Sequence, residues 1–166
     1  NAHVVAGVRA PVVSDDDGAG GPATTVLFDP ELDLAVLRVG ASLGPPLPLA
    51  PSDVERGAVG AVLGYPGGGG LASTAAAVRQ PIPALGRDIY GRVDVRRDVY
   101  ELQVKLEPGN SGGPFVLSDG TVAGMVFAAS SVDPEIGYAI RGSEFADEIR
   151  LATARTTPVG TGPCLR

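Results

Sequence analysis

The chain has 166 residues, 44% of them apolar, with 24 glycines, 15 prolines and a net charge of -6. That is enough apolar material for one domain or two small lobes, and too varied and too apolar for a collagen-like or disordered chain. An acidic chain without a basic, aromatic-interleaved patch argues against nucleic acid and anionic membrane as partners, because both repel it.

Val-rich runs punctuated by Gly and Pro predict many short strands and turns. Residues 4–13 read as extended, and a loop over residues 14–23 follows, with three successive aspartates. Residues 24–28 and 33–39 predict strands, separated by a turn at Asp29-Pro30. Residues 40–57 concentrate Gly and Pro, and residues 46–57 are read as a linker between a first lobe of residues 1–45 and a second of residues 58–142. The second lobe opens with a strand over residues 58–65. The run Gly67 to Gly70 reads as a flexible loop. Residues 71–80 and 93–105 predict strands around an irregular stretch at 81–92. Residues 114–127 predict a hairpin on Asp119-Gly120, a two-residue turn in which both positions accept positive φ. Residues 143–155 predict a helix: Ser143 caps it, Glu144 complements its N-terminal end, and Phe145, Ile149 and Ala152 share a face. Helix and tail occupy residues 143–166. No stretch of 18 apolar residues is present that would read as a membrane-spanning helix. The class is all-β, with two β lobes and a C-terminal helix.

The sharpest chemical signal is Glu107-Pro108-Gly109-Asn110-Ser111-Gly112-Gly113-Pro114. A serine between glycines sits on a tight, exposed turn whose backbone N–H groups can converge on one point, as an oxyanion hole requires. The bland alternative is a glycine-rich hairpin turn with an incidental serine. A serine nucleophile needs a base that titrates near working pH, and His3 is the chain's single histidine. Asp33 opens the apolar run Leu34-Ala35-Val36-Leu37 and would be drawn inward, where a carboxylate needs a partner. Asp29 and Glu31 remain weaker rivals for that role. Gly109, Ser111 and Gly113 also fit the G-x-S-x-G pattern of an α/β-hydrolase elbow. That fold runs serine, acid, histidine, and no histidine follows Ser111; the observed order His3, Asp33, Ser111 is that of chymotrypsin. The glycine run lacks the Lys-Ser/Thr of a phosphate-binding loop, and one Cys with one His cannot form a typical zinc site. No cofactor or metal is expected.

Three stretches together resemble one family. Asn1-Ala2-His3-Val4-Val5, Asp33-Leu34-Ala35-Val36-Leu37 and Gly109-Asn110-Ser111-Gly112-Gly113-Pro114 resemble the histidine, aspartate and serine motifs of bacterial trypsin-like and HtrA-type serine proteases. Within that family the chain is similar to an actinobacterial, membrane-anchored periplasmic branch linked to acid resistance. The resemblance implies two six-stranded β-barrels of chymotrypsin type, the first incomplete in these residues. It implies a triad of His3, Asp33 and Ser111, and an oxyanion hole at Gly109, Asn110 and Ser111. Its substrate pocket would involve Lys105 at the base and Phe127, Ala128, Ala129 and Ser130 in the walls. That pocket would favour uncharged side chains, with Glu107 close by. Protein or peptide is the implied substrate, acyl-enzyme chemistry the implied mechanism, and the extracytoplasmic space the implied location. Membrane attachment would come only through N-terminal transmembrane helices outside these residues. In this family strands of the first barrel precede the histidine motif. The chain is therefore expected to associate with an upstream segment of the same protein as a second polypeptide, through a disulfide from Cys164 to an upstream cysteine. The competing readings are a catalytically silent binding or sensor module on the same fold, and an esterase.

Overall fold

The computed structural model describes residues 1–15 and 17–165. Asp16, in the predicted aspartate loop, lies outside the described residues, as does Arg166. The chain forms two compact units. One comprises residues 1–46, 86–95 and the C-terminal residues from Phe145; the other comprises residues 47–85 and 96–144.

The first unit is built on a three-stranded antiparallel sheet in the order β1 (Val12–Ser14), β2 (Gly20–Asp29), β3 (Leu34–Val39). The β2–β3 reversal is set by Asp29: its Oδ1 accepts the N–H groups of Glu31 at 2.8 Å and Leu32 at 2.9 Å. This carboxylate-capped turn is how aspartate competes with regular structure. The ladder slips between Thr25 and Leu27. Strict alternation would send one of two neighbours to solvent, and the slip lets Thr25, Val26 and Leu27 all stay buried. The tail runs beside this sheet: Val159 donates its N–H to the Thr25 carbonyl, Gly7 donates to the Thr161 carbonyl, and the Thr161 hydroxyl donates to the Val8 carbonyl.

The second unit contains a closed barrel in the order β4-β5-β6-β9-β8-β7. Its strands are β4 (Val59–Gly64), β5 (Ala72–Arg87), β6 (Asp94–Gln103), β7 (Pro114–Leu117), β8 (Val122–Ala129) and β9 (Ile136–Arg141). Closure leaves no free sheet edge. Ala76 and Val78 on β5, Tyr100 and Leu102 on β6, and Phe115 on β7 alternate inward at period two. Full burial of each large apolar side chain contributes about 1.5–3 kcal/mol. The Tyr100 ring meets Phe115 edge-on, with centroids 6.5 Å apart, and its buried hydroxyl accepts the Val54 N–H at 2.9 Å. Burial raises the Tyr100 pKa above its ordinary value.

Several expectations need correction. Residues 4–13 are not extended throughout, because Ala2–Val5 form a single helical turn, α1. The β-branched pair Val4-Val5 would favour a strand, and the helical turn wins through non-local bonds from Asn1, Ala2 and His3 to Asp33. The predicted loop over 14–23 is shorter, since β2 starts at Gly20. The irregular stretch at 81–92 is largely strand, since β5 continues to Arg87 through Pro81 and Pro83. The predicted hairpin forms, but only Gly120 carries positive φ (85°), and Leu117 pairs with Thr121 across a longer turn. The helix α2 spans Gly142–Ala152, with Phe145 and Ala152 buried.

Candidate active site

In the first unit, α1 and the start of β3 bring His3 and Asp33 together. Asp33 has φ 58, a left-handed conformation that aspartate tolerates better than most residues. Its carbonyl accepts the Ala2 N–H and the Asn1 side-chain amide, both at 3.1 Å. Its carboxylate Oδ1 accepts the His3 N–H at 2.8 Å, and Oδ2 lies 2.7 Å from His3 Nδ1. Asp33 is 3% exposed, so both oxygens must find donors, and both do. A carboxylate only accepts, so this contact calls for the His3 tautomer with its proton on Nδ1, which in a neutral ring leaves Nε2 as the acceptor. The two rivals sit elsewhere. Asp29 spends its carboxylate on its own turn, and Glu31 is exposed.

In the second unit, Ser111 lies on the loop between β6 and β7. The loop is a chain of tight turns. Asn110 donates its N–H to the Glu107 carbonyl at 3.1 Å, and its buried side-chain Oδ1 accepts the Glu107 N–H at 2.8 Å. Gly113 donates back to the Asn110 carbonyl at 2.9 Å. Gly112 donates to the Val126 carbonyl, and Val126 donates to the Gly113 carbonyl, which docks the loop on β8. The N–H groups of Gly109 and Ser111 donate to no described residue, whereas that of Asn110 is taken by Glu107.

A cavity of about 310 Å³ adjoins Ser111. Leu106, Glu107 and Pro108 line one side and Val126, Phe127, Ala128 and Ala129 the other, with Asn110 beside the serine. Of the residues expected around it, Phe127, Ala128 and Ala129 are present, while Lys105 and Ser130 are not. Lys105 is exposed, just past the end of β6, where the chain turns Val104 inward instead. The Ser130 hydroxyl accepts the N–H groups of Val132 and Asp133 and so caps a turn. Two neighbours escape a reading of motifs. The guanidinium of the buried Arg97 lies 5.9 Å from the Phe127 ring centroid. The backbone of the glycine-rich turn after β4 touches the serine loop. A run of glycines signals a turn but does not name its partner. Cys164 is exposed and is the chain's single cysteine.

Known proteins share the sequence pattern and the fold of this chain. A trypsin-like peptidase domain family matches residues 1–125. The chain is 43% identical over 166 residues to the serine protease Rv3671c of Mycobacterium tuberculosis (strain H37Rv), covering 99% of this chain and 41% of that protein. It is 34% identical over 157 residues to a probable periplasmic serine endoprotease DegP-like of Halomonas elongata, covering 90% of this chain and 32% of that one. It thus spans less than half the length of these relatives. The crystal structure of the Rv3671c protease in its active form superposes with a TM-score of 0.93 at 42% identity, over 100% of this chain and 73% of the other. A histidine held by a buried carboxylate, a glycine-flanked serine on a closed barrel and this extent of likeness make the chain a member of the trypsin-like peptidase family, with the chymotrypsin-type fold.

Proposed function

We propose that the protein is a serine endopeptidase working through His3, Asp33 and Ser111. The observation that carries the reading is the His3–Asp33 pair: a buried carboxylate engages both the backbone N–H and Nδ1 of the chain's single histidine. In this reading the Ser111 Oγ attacks the scissile carbonyl and passes its proton to His3 Nε2. Asp33 holds the ring in the required tautomer and stabilises the imidazolium. The N–H groups of Gly109 and Ser111 receive the oxyanion, and Asn110 shapes the turn without donating to it. His3 then protonates the leaving amine. Water, deprotonated by the same ring, releases the acyl group.

The cavity beside Ser111 supports a substrate with an uncharged side chain at the cleaved position. Most of its lining is apolar, and the Glu107 carboxylate is exposed, where water screens it. The periplasmic relatives support an extracytoplasmic setting. Membrane attachment and a role in acid stress complete the reading and rest on family resemblance. A fluorophosphonate probe applied to the full-length protein, with a peptide library, tests it. Labelling at Ser111, loss of at least about 10³-fold in turnover in Ser111→Ala and preference for uncharged side chains are expected. An unlabelled Ser111, or a mutant that still cleaves, would refute it.

A further inference from the structure

The second unit buries one cation that the mechanism above does not use. Arg97, on β6, is 7% exposed, and it is the one buried lysine or arginine among the described residues. A guanidinium stays charged in a protein, so burying it is costly unless the fold engages it. Its central carbon lies 5.9 Å from the centroid of the Phe127 ring, within reach of a cation–π attraction. We propose that Arg97 is a positioning residue for the substrate cavity, holding the Phe127 ring as a fixed wall against which large apolar side chains are selected over small ones. The proposal rests on the reading of Ser111 as nucleophile and of the adjoining cavity as the seat of the substrate side chain.

Phe127 needs an outside hold because of its place in β8. Val126 pairs with Ala139 and Ala128 with Tyr138, so Phe127 is the extra residue of a β-bulge. A regular strand would turn alternate residues away from the cavity, whereas Val126 to Ala129 all line it. The bulge thus brings Phe127 to the cavity, and it leaves the side chain with no residue directly opposite to set its direction. The residue before it is firmly placed: Gly112 donates its N–H to the Val126 carbonyl at 2.8 Å, and Val126 donates to the Gly113 carbonyl at 2.9 Å. The ring therefore sits one residue from a fixed point on the serine loop, with its own orientation still to be chosen.

Arg97 is suited to choose it. β9 lies between β6 and β8 in the barrel. Two strand spacings amount to about 10 Å, a span that needs a long side chain. Arg97 does not itself line the cavity, so it reaches a substrate through the Phe127 ring. Burial strengthens the attraction, because little water competes for the guanidinium. Arg96, its neighbour in the chain, shows the opposite arrangement: it is exposed and pairs with Asp98 at 2.8 Å, where solvent weakens the bond.

The test uses the full-length protein and two peptide substrates that differ only at the cleaved position, leucine in one and alanine in the other. The ratio of their kcat/KM values does not depend on how much of the protein is folded, so a merely structural role would leave it unmoved. A leucine side chain reaches the wall and an alanine methyl does not. The unsubstituted protein is expected to favour leucine by at least about tenfold. Arg97→Met, which keeps a long stem without the charge, is expected to lower that ratio about fivefold, through the leucine substrate alone. Fluorophosphonate labelling of Ser111 should keep its rate. Arg96→Met is expected to leave the ratio unchanged. If Arg97→Met does not fold, Phe127→cyclohexylalanine, introduced by chemical ligation, keeps Arg97 and the ring volume and removes the π face; the same fall is expected. An unchanged or raised ratio in the variant that folds would overturn the proposal, as would the absence of a leucine preference in the unsubstituted protein. If the unsubstituted protein neither labels nor cleaves, the protease reading falls first and takes this proposal with it. If it labels and cleaves and the ratio does not move, only this proposal falls.

Discussion

The two units hold their functional groups by different means. Around His3 the grip is ionic and local to one residue: Asp33 accepts bonds from Asn1, Ala2 and His3 through its carbonyl and both carboxylate oxygens. Around Ser111 it is neutral and spread over peptide groups of β8, the Glu107–Asn110 turn and the Gly64–Gly69 turn, on a closed barrel. A base needs one charge to set its tautomer, so a single side chain can carry the whole arrangement. Converging N–H donors need backbone geometry, which no single side chain supplies. The first unit should therefore be sensitive to one carboxylate, and the second to packing and to glycine.

The largest effect sharpens the first half of that contrast. Asp33→Asn is expected to lower kcat/KM by about 10⁴-fold, because an amide donating to Nδ1 selects the wrong tautomer. Asp29→Asn keeps an acceptor for the turn and should change kcat/KM by less than about threefold. Peptide turnover by both variants checks this, and equal losses would place the acid wrongly. Next comes the barrel. Tyr100→Phe removes the acceptor, at 2.9 Å, of the half-buried Val54 N–H, at a cost of about 0.5–1.5 kcal/mol in unfolding free energy. Turnover at moderate temperature should not change. Denaturant unfolding measures the cost, and unchanged stability would mean that the ring alone supports the barrel.

The smallest effect concerns the β5–β6 turn. The Asp88 carboxylate accepts the Arg92 N–H at 2.7 Å and the Tyr90 N–H at 3.2 Å. These backbone donors, that of Arg92 foremost, hold its pKa below the usual carboxylate value, and the Arg92 charge adds to them. The folded state thus favours the ionised form. Its contribution is complete above the unfolded carboxylate's pKa and fades as pH falls through the depressed folded value. Asp88→Asn should lower Tm slightly at neutral pH, and the difference from the unsubstituted protein should shrink on acidification. A gap that widens in acid would contradict the assignment.

Much of the candidate site is legible in residue types alone. The glycine-flanked serine, the single histidine and the order of residues 3, 33 and 111 confine the chemistry, because few residue types serve as nucleophile and base. Strand runs and turn residues likewise carry the all-β class, since period-two burial and Gly/Pro turns are local properties. Tertiary structure decided what locality cannot encode. Asp33 rather than Asp29 meets His3, 30 residues away, because the Asp29 carboxylate is taken by its own turn. A Val-rich segment forms α1 because bonds to Asp33 outweigh strand preference. Lys105 is exposed while Leu106, Glu107 and Pro108 wall the cavity, a choice made by the course of the loop after β6 and not by residue type. The glycine run reads as a flexible loop from composition, and only folding sets the Gly67 N–H on the Pro108 carbonyl and the nearby Tyr65 N–H on the Gly109 carbonyl. Composition settles which backbone conformations are open to a segment, and the partner that selects one of them is fixed by contacts distant in the chain.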